Sequence, residues 1–298
     1  MLSILIPTYN YNITSLVADL HQQAVDTYVD FEIIVMEDGS ALHVEENTAV
    51  TNLKFCRHIA LKENIGRSAV RNKLADLALY DHLLFMDCDA EVCSPHFVEK
   101  YVAFCKEVCV VIGGTAYDEN ENDPRYSLRL AYGRLREARS ALERGNEHTY
   151  HNFATFNFLI SKTLFQKVRF DESIRGYGHE DTLFGHQLHE LGCVFIHIEN
   201  PLIHKGLDDN ETFLVKTEEG VRNLFLLYKT ERYPFLSEES KLLNTYNKIY
   251  RIGLTRLLAL KYDVIKSILR RQLCSNSPSL IIYDLYKILF LCKIAQFK

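Results

Sequence analysis

Short apolar runs alternate with helical patterns through the first 113 residues, and few folds accept that rhythm. "LSILIP" (2–7) reads as a buried strand stopped by Pro7. Residues 12–27 place Ile13, Leu16, Val17, Leu20 and Ala24 on one helical face, with Asn12 as its cap. "FEIIVM" (31–36) is a second strand, ended by Glu37-Asp38-Gly39-Ser40, and "LKFCRHIA" (53–60) a third. A helix fits 67–79, "LLFM" (83–86) is a fourth strand, Ser94-Pro95 opens another helix, and "VCVVIG" (108–113) is a fifth strand. This order predicts an α/β fold, a mostly parallel sheet with helices on both faces. Ligands of such sheets sit beyond the carboxyl ends of the strands.

The rhythm changes after about residue 120. "YSLRLAYGRLREARSALER" (126–144) reads as a basic, polar helix, "FATFNFLIS" (153–161) as a strand, and "CVFIHI" (193–198) as another. From about 211 the chain reads as helical. The expected division is a domain over 1–210, with halves at about 1–112 and 113–210, and a helical extension over 211–298.

With 298 residues, 47% hydrophobic and 24% charged, the chain can bury a sizeable core. A formal net charge of −5 argues against nucleic acid as a partner. The eight cysteines form no CxxC pair and lack zinc-like spacing, so reduced thiols of a cytoplasmic protein are expected. No basic segment followed by an apolar one opens the chain, and no run of about 18 apolar residues predicts a membrane span.

Five stretches carry chemistry. In "FMDCDA", Asp87 and Asp89 follow a strand one residue apart, and acids crowded there need a cation or ligand donors to offset them. In "LIPTYNYN", Pro7, Thr8, Tyr9 and Asn10 end a strand with a ring and small polar groups suited to a base and ribose. In "KENIGRSAVRNKLA", Gly66 opens a helix whose N-terminal amides can face an anion, and Arg67 and Arg71 lie one turn apart. In "GYGHEDTLFG", Glu180 and Asp181 open a helix; the helix dipole favours acids there, and such a loop can also bring a general base to a hydroxyl. His204 in "NPLIHKG" follows a strand and can serve the same cation as a neutral imidazole. Neither GxGxxG nor GxxxxGK[ST] occurs. A D-x-D phosphatase of the haloacid dehalogenase type is a poor match: Glu91 stands where a Thr or Val is expected, and the motif follows the fourth strand rather than the first.

In this order, "LSILIPTYN", "IIVMEDGS", "ENIGRSAVRN", "LLFMDCDAEV" and "GYGHEDTLFGHQL" resemble the family-2 inverting glycosyltransferases of the GT-A fold. The resemblance covers roughly 1–205. It implies a nucleotide-diphosphate sugar donor, uridine-linked by expectation, and a Mn²⁺ or Mg²⁺ ion. It implies that Thr8, Tyr9 and Asp38 hold base and ribose and that Gly66 to Arg71 line the same pocket. Asp89 and His204 would hold the metal, with Asp87 nearby. Asp181 would be the catalytic base and Glu180 would hold the acceptor, or the two acids exchange roles. The implied partner is a glycan or lipid-linked acceptor in surface polysaccharide synthesis. A nucleotide-sugar-binding scaffold without turnover is the competing reading. The chain departs from the pattern in having no Trp before the acid pair and only His186 and His189 where a basic residue often follows it.

"SPSLIIYDLYKILFLCKI" (277–294) reads as a helix with Ser277 as cap and Pro278 in its first turn, apolar over most of its circumference. Nearby stand Lys266, Arg270, Arg271, Lys287 and Lys293 against Asp263 and Asp284. Two readings follow: packing on the catalytic domain or on a second subunit, as in a homodimer, or contact with the inner, anionic face of a membrane, where lipid-linked acceptors would be.

Overall fold

A computed structural model describes residues 1–145, 149–174 and 176–296. It groups into two compact units. The first comprises Met1–Asp118, Arg136–Arg175 and Glu180–Gly206, and the second Glu119–Leu135, Gly176–His179 and Leu207–Lys298.

The first unit is built on strands β1 (Leu2–Thr8), β2 (Phe31–Glu37), β3 (Cys56–Ala60), β4 (His82–Met86), β5 (Ala90–Val92), β6 (Val110–Ile112), β7 (Thr115–Ala116), β8 (Asn157–Ser161), β9 (Phe195–His197) and β10 (Leu202–His204). Seven of them form one sheet in the order β3-β2-β1-β4-β8-β6-β9, and β5-β10-β7 form a small second sheet. In the large sheet only β8 runs antiparallel to its neighbours, β4 and β6. The mostly parallel sheet expected from the sequence is present, and a mostly parallel sheet needs helices on both faces.

The period of two along each strand sorts the core. Leu2, Ile4 and Ile6 of β1 join Ile33 and Val35 of β2 against Leu16, Val17, Leu20 and Ala24 of the helix Thr14–Asp26. Leu5, Ile34 and Met36 face the other way, toward Val70, Leu74 and Ala75 of the helix Arg67–Leu77. Phe85 stacks at 5.0 Å on Phe158 and at 5.2 Å on Phe165, filling that second layer.

Several local expectations shift. Asn12 lies one residue outside the cap position, yet its Oδ1 accepts from the Thr14 amide at 3.1 Å. The helix after Ser94-Pro95 starts at Phe97, and Ser94 Oγ accepts from the His96 amide instead. The single helix over 126–144 is broken into Ser127–Tyr132, a π turn Gly133–Glu137 and a short helix Ala141–Arg144. Ser140 starts the last piece with a capping box: Glu143 Oε2 accepts from the Ser140 amide at 2.8 Å, and Ser140 Oγ accepts from that of Glu143 at 3.3 Å.

The second unit contains the helices Asn210–Lys229, Phe235–Glu239, Lys241–Arg251, Thr255–Leu273 and Leu280–Ile294. Leu280–Ile294 is capped by Ser279, not Ser277, because the Ser279 hydroxyl is the one in reach of the Ile282 amide, at 3.5 Å. It buries Tyr283, Tyr286, Ile288, Leu289, Phe290, Leu291 and Cys292. Tyr286 donates to the buried Glu218, which also accepts from Arg270 at 3.2 Å. That network fixes three helices to one another with its polar groups satisfied. Among the described residues no helix is long and apolar enough to cross a membrane.

Candidate active site

The candidate site residues all lie in the first unit, at the carboxyl ends of β1, β2, β4 and β10 and in the first turns of the helices Arg67–Leu77 and Glu180–Glu190. At the end of β1, the Thr8 carbonyl accepts from the Asp38 amide at 2.8 Å. Pro7 pairs in register with Met36 of β2. Tyr9 leaves the sheet with 54% of its surface exposed, a ring open to stacking. Asn10 turns left-handed (φ 52), and its Oδ1 accepts from the Ala41 and Leu42 amides at 2.7 and 3.0 Å.

The Asp38 carboxylate is buried and accepts from the Ile65 amide at 2.7 Å and the Gly66 amide at 3.1 Å. Each oxygen retains a further lone pair for a ligand N–H. The turn after Asp38 presses on the loop before the helix Arg67–Leu77: a Cβ on Gly39 (φ +70) would lie 2.4 Å from the Asn64 nitrogen. A backbone atom cannot yield as a side chain does. Gly39→Ala is therefore expected to cost about 2 kcal/mol or more, read as a lowered midpoint in urea unfolding.

Behind this turn lies a residue the motif reading passed over. Glu37 is fully buried, and it accepts from Ser40 Oγ at 2.5 Å, Asn47 Nδ2 at 2.7 Å and His58 Nε2 at 3.3 Å. Asn47 in turn donates to the Tyr11 carbonyl at 2.8 Å and accepts from the Ile13 amide at 3.0 Å. The loops after β1 and β2 are thus tied to one carboxylate. The signal was present in the sequence as a second acid beside Asp38.

Asp89 and His204 are brought together by the small sheet. Antiparallel pairing of β5 with β10 sets His204 opposite Ala90, beside Asp89. His204 Nε2 lies 3.1 Å from Asp89 Oδ2, and the Lys205 amide donates to the Asp89 carbonyl at 2.8 Å. Phe156 and Tyr117 pack edge-on against the imidazole at 5.3 and 5.8 Å. Gly206 is needed here too, since a Cβ would fall 2.3 Å from Asp89 Oδ2. Burial pushes the Asp89 carboxyl up, but the His204 hydrogen bond, its charge and that of Arg67 together hold it below the usual range.

Among the described residues no cluster of three or more His, Cys, Asp or Glu could hold a metal by itself. The pair still fits a hard divalent ion. Two ligands about 2.1 Å from an octahedral ion at right angles stand about 3 Å apart, and Mg²⁺-type sites take few protein donors plus phosphate and water oxygens.

Asp87 and Glu180 share a buried cation. Arg71, 2% exposed, donates through Nη2 to Asp87 Oδ1 at 2.7 Å, while its Nη1 lies 3.9 Å from Glu180 Oε1. The guanidinium sits 5.6 Å from the centre of the Phe170 ring. Arg71 Nε and Nη1 and Glu180 Oε2 are buried without a hydrogen-bond partner. Burial pushes the Asp87 carboxyl up, and the nearby Asp89 adds to this against the pull of Arg71.

Glu180 and Asp181 occupy the first turn of their helix, after left-handed Gly176, Gly178 and His179 (φ 82, 98 and 76). Asp181 Oδ1 accepts from the Thr182 amide at 2.7 Å. Burial and then repulsion from Glu180 push its carboxyl up to about 6, while the Thr182 amide and Arg71 restrain the rise. Further along this helix, His189 stacks on Tyr150 at 4.0 Å and His186 lies 6.2 Å from the same ring.

The sequence model of glycosyl transferase family 2 matches residues 3–169. The chain belongs to that family. It is 27% identical to an Escherichia coli chondroitin synthase over 242 residues, covering 68% of this chain and 34% of that protein. It is 26% identical to a Pasteurella multocida hyaluronan synthase over 245 residues, covering 70% of this chain and 25% of that one. The chain thus spans about a third or less of the length of these relatives. Among solved structures, a Pyrobaculum calidifontis mannosyltransferase in complex with GDP-Man and Mn²⁺ matches with TM-score 0.56 at 13% identity, over 99% of this chain and 86% of that one. Staphylococcus aureus TarS 1–349 in complex with UDP-GlcNAc matches with TM-score 0.52 at 17% identity, over 100% and 92%. These likenesses establish the GT-A fold.

In this family-2 chain, Arg71 joins Asp87, just past β4, to Glu180 of the acid pair, and two residues on from Asp87 the carboxylate of Asp89 meets His204. Arg67 is exposed beside them, and its charge reaches both Asp87 and Asp89.

Proposed function

We propose that the chain is a metal-dependent, inverting glycosyltransferase that moves a sugar from a UDP-sugar to a hydroxyl of a glycan or lipid-linked acceptor in surface polysaccharide synthesis. The observation that carries this reading is Arg71, which ties Asp87 at the nucleotide edge to Glu180 beside Asp181. The likeness to proteins named chondroitin and hyaluronan synthase supports a polysaccharide product. The UDP-GlcNAc and GDP-Man complexes of the structural neighbours support a nucleotide-sugar donor.

Tyr9 stacks on the base, and Asp38 accepts its N–H. Thr8 and Asn10 shape the turn that receives the ribose, with Gly66 and Arg67 lining the far side. Asp89 and His204 would hold a Mn²⁺ or Mg²⁺ ion, which would neutralise the leaving diphosphate. Glu180, with one oxygen unpartnered, accepts a hydrogen bond from the acceptor sugar. Asp181 takes the proton of the acceptor hydroxyl while that oxygen bonds to the anomeric carbon. The carbon–oxygen bond to the diphosphate breaks, and UDP leaves with its electron pair. One displacement inverts the anomeric centre.

The test is proton NMR of products formed from a panel of UDP-α-hexoses and UDP-α-N-acetylhexosamines with oligosaccharide acceptors. A β-linked product is expected. An α-linked product would overturn inversion, and donor binding without any transfer would favour the scaffold reading.

A further inference from the structure

We infer that the solvent-facing side of the helix Thr255–Leu273 is a docking face for an anionic bilayer surface. This goes beyond the transfer reaction and stands whether or not the chain turns over sugar. The helix is apolar on two sides. Ala259, Tyr262, Leu269 and Leu273 are buried in the second unit. Leu257, Leu260, Val264 and Ile268 follow a helical spacing of three, four and four, and remain 50, 66, 78 and 68% exposed. They form a stripe about 16 Å long at 1.5 Å per residue. A continuous exposed apolar stripe of this kind marks a surface that something else covers.

The charges flanking the stripe select the occupant. Four of the five tail cations noted in the sequence have acidic partners: Lys266 and Arg270 on Glu218, Lys287 on Asp284 and Lys293 on Asp263. Arg271, together with Arg256 and Lys261, has no acidic partner among the described residues, and all three are exposed on this helix. On a helical wheel Arg256 and Lys261 border the apolar stripe on opposite sides, and Arg271 continues its line one turn past Ile268. The nearest acid on the helix, Asp263, is taken by Lys293. An apolar stripe edged by unpaired cations is the chemistry of an interfacial helix on anionic lipid. A second copy fits less well, because a two-fold contact would set these cations against themselves. The sequence reading placed such a contact on 277–294, but the helix there spends most of its apolar surface on the core of its own unit.

Flotation of the full chain with vesicles tests this, comparing pure phosphatidylcholine with vesicles containing about 30% phosphatidylglycerol. Binding to the anionic vesicles alone is expected, weakening as salt is raised. Two double variants, Val264→Glu/Ile268→Glu and Lys261→Glu/Arg271→Glu, should each lower it roughly tenfold or more while keeping the wild-type melting curve. Equal binding to both vesicle types, no binding to either, or wild-type affinity in both variants would overturn the inference. So would a wild-type dimer in solution that Val264→Glu/Ile268→Glu converts to monomer without loss of vesicle binding.

Discussion

Replacing Asp181 with Asn is expected to lower kcat about a thousandfold while leaving UDP affinity unchanged. The substitution keeps shape and hydrogen bonding but removes the proton acceptor, and a positioned general base contributes about 10²–10⁴ to rate. Glu180→Gln should cost less in kcat and more in acceptor KM, since Glu180 is assigned to holding the acceptor. If the two variants show the reverse, the acids exchange roles. The wild-type pH profile carries the same information. The base works as its carboxylate, and burial with Glu180 beside it pushes the Asp181 carboxyl up to about 6. Below that pH the group is protonated, so kcat/KM should fall tenfold per unit as pH drops through 6. A flat profile down to pH 5 would contradict the assignment of the base.

Arg71→Met is expected to be the most damaging change outside the acids themselves. Methionine fills much of the volume but leaves Asp87 and the buried Glu180 facing each other's neighbourhood without a cation. Breaking a buried pair from one side typically costs about 3–5 kcal/mol, and the partial exposure of Asp87 places the expected loss near the low end, about 3 kcal/mol in urea unfolding. Any activity that survives carries a second signature. Arg71 lowers the Asp181 carboxyl, so its removal lets that group rise, and the acid limb of kcat/KM should move above pH 6. Arg71→Lys should not restore both effects, because one ammonium cannot reproduce the planar fork that reaches two carboxylates. A variant with wild-type stability and an unmoved acid limb would remove Arg71 from the centre of the account.

The parts of the site legible in the sequence are those set by local pattern. Apolar runs ending in Asp38, Asp87 and Asp89 reveal strand ends on one side of a sheet, and Glu180-Asp181 after two glycines reveals a helix start. What depends on distant register was not legible in local pattern, and the pairing of His204 with Asp89 was expected only through the family resemblance. His204 meets Asp89 across 115 residues because two three-residue strands pair, and strands that short leave little trace in composition. The antiparallel insertion of β8 between β4 and β6 is likewise a tertiary choice. Arg71 sits on what reads as a basic helix face, yet the ring of Phe170 and two distant carboxylates enclose it. The break near Ser140 was readable as Ser-x-x-Glu but was outweighed by the helical composition around it. In the tail, hydrophobicity alone could not separate a helix that fills a core from one that shows its apolar side to solvent.

Calorimetry of UDP binding, with and without Mn²⁺, to the wild-type chain and to Asp89→Asn tests the central claim most directly. The account predicts binding that requires Mn²⁺ in the wild type and weakens at least a hundredfold in the variant, since the ion loses one of its two protein ligands. Tight UDP binding that ignores Mn²⁺, or that survives Asp89→Asn unchanged, would contradict it.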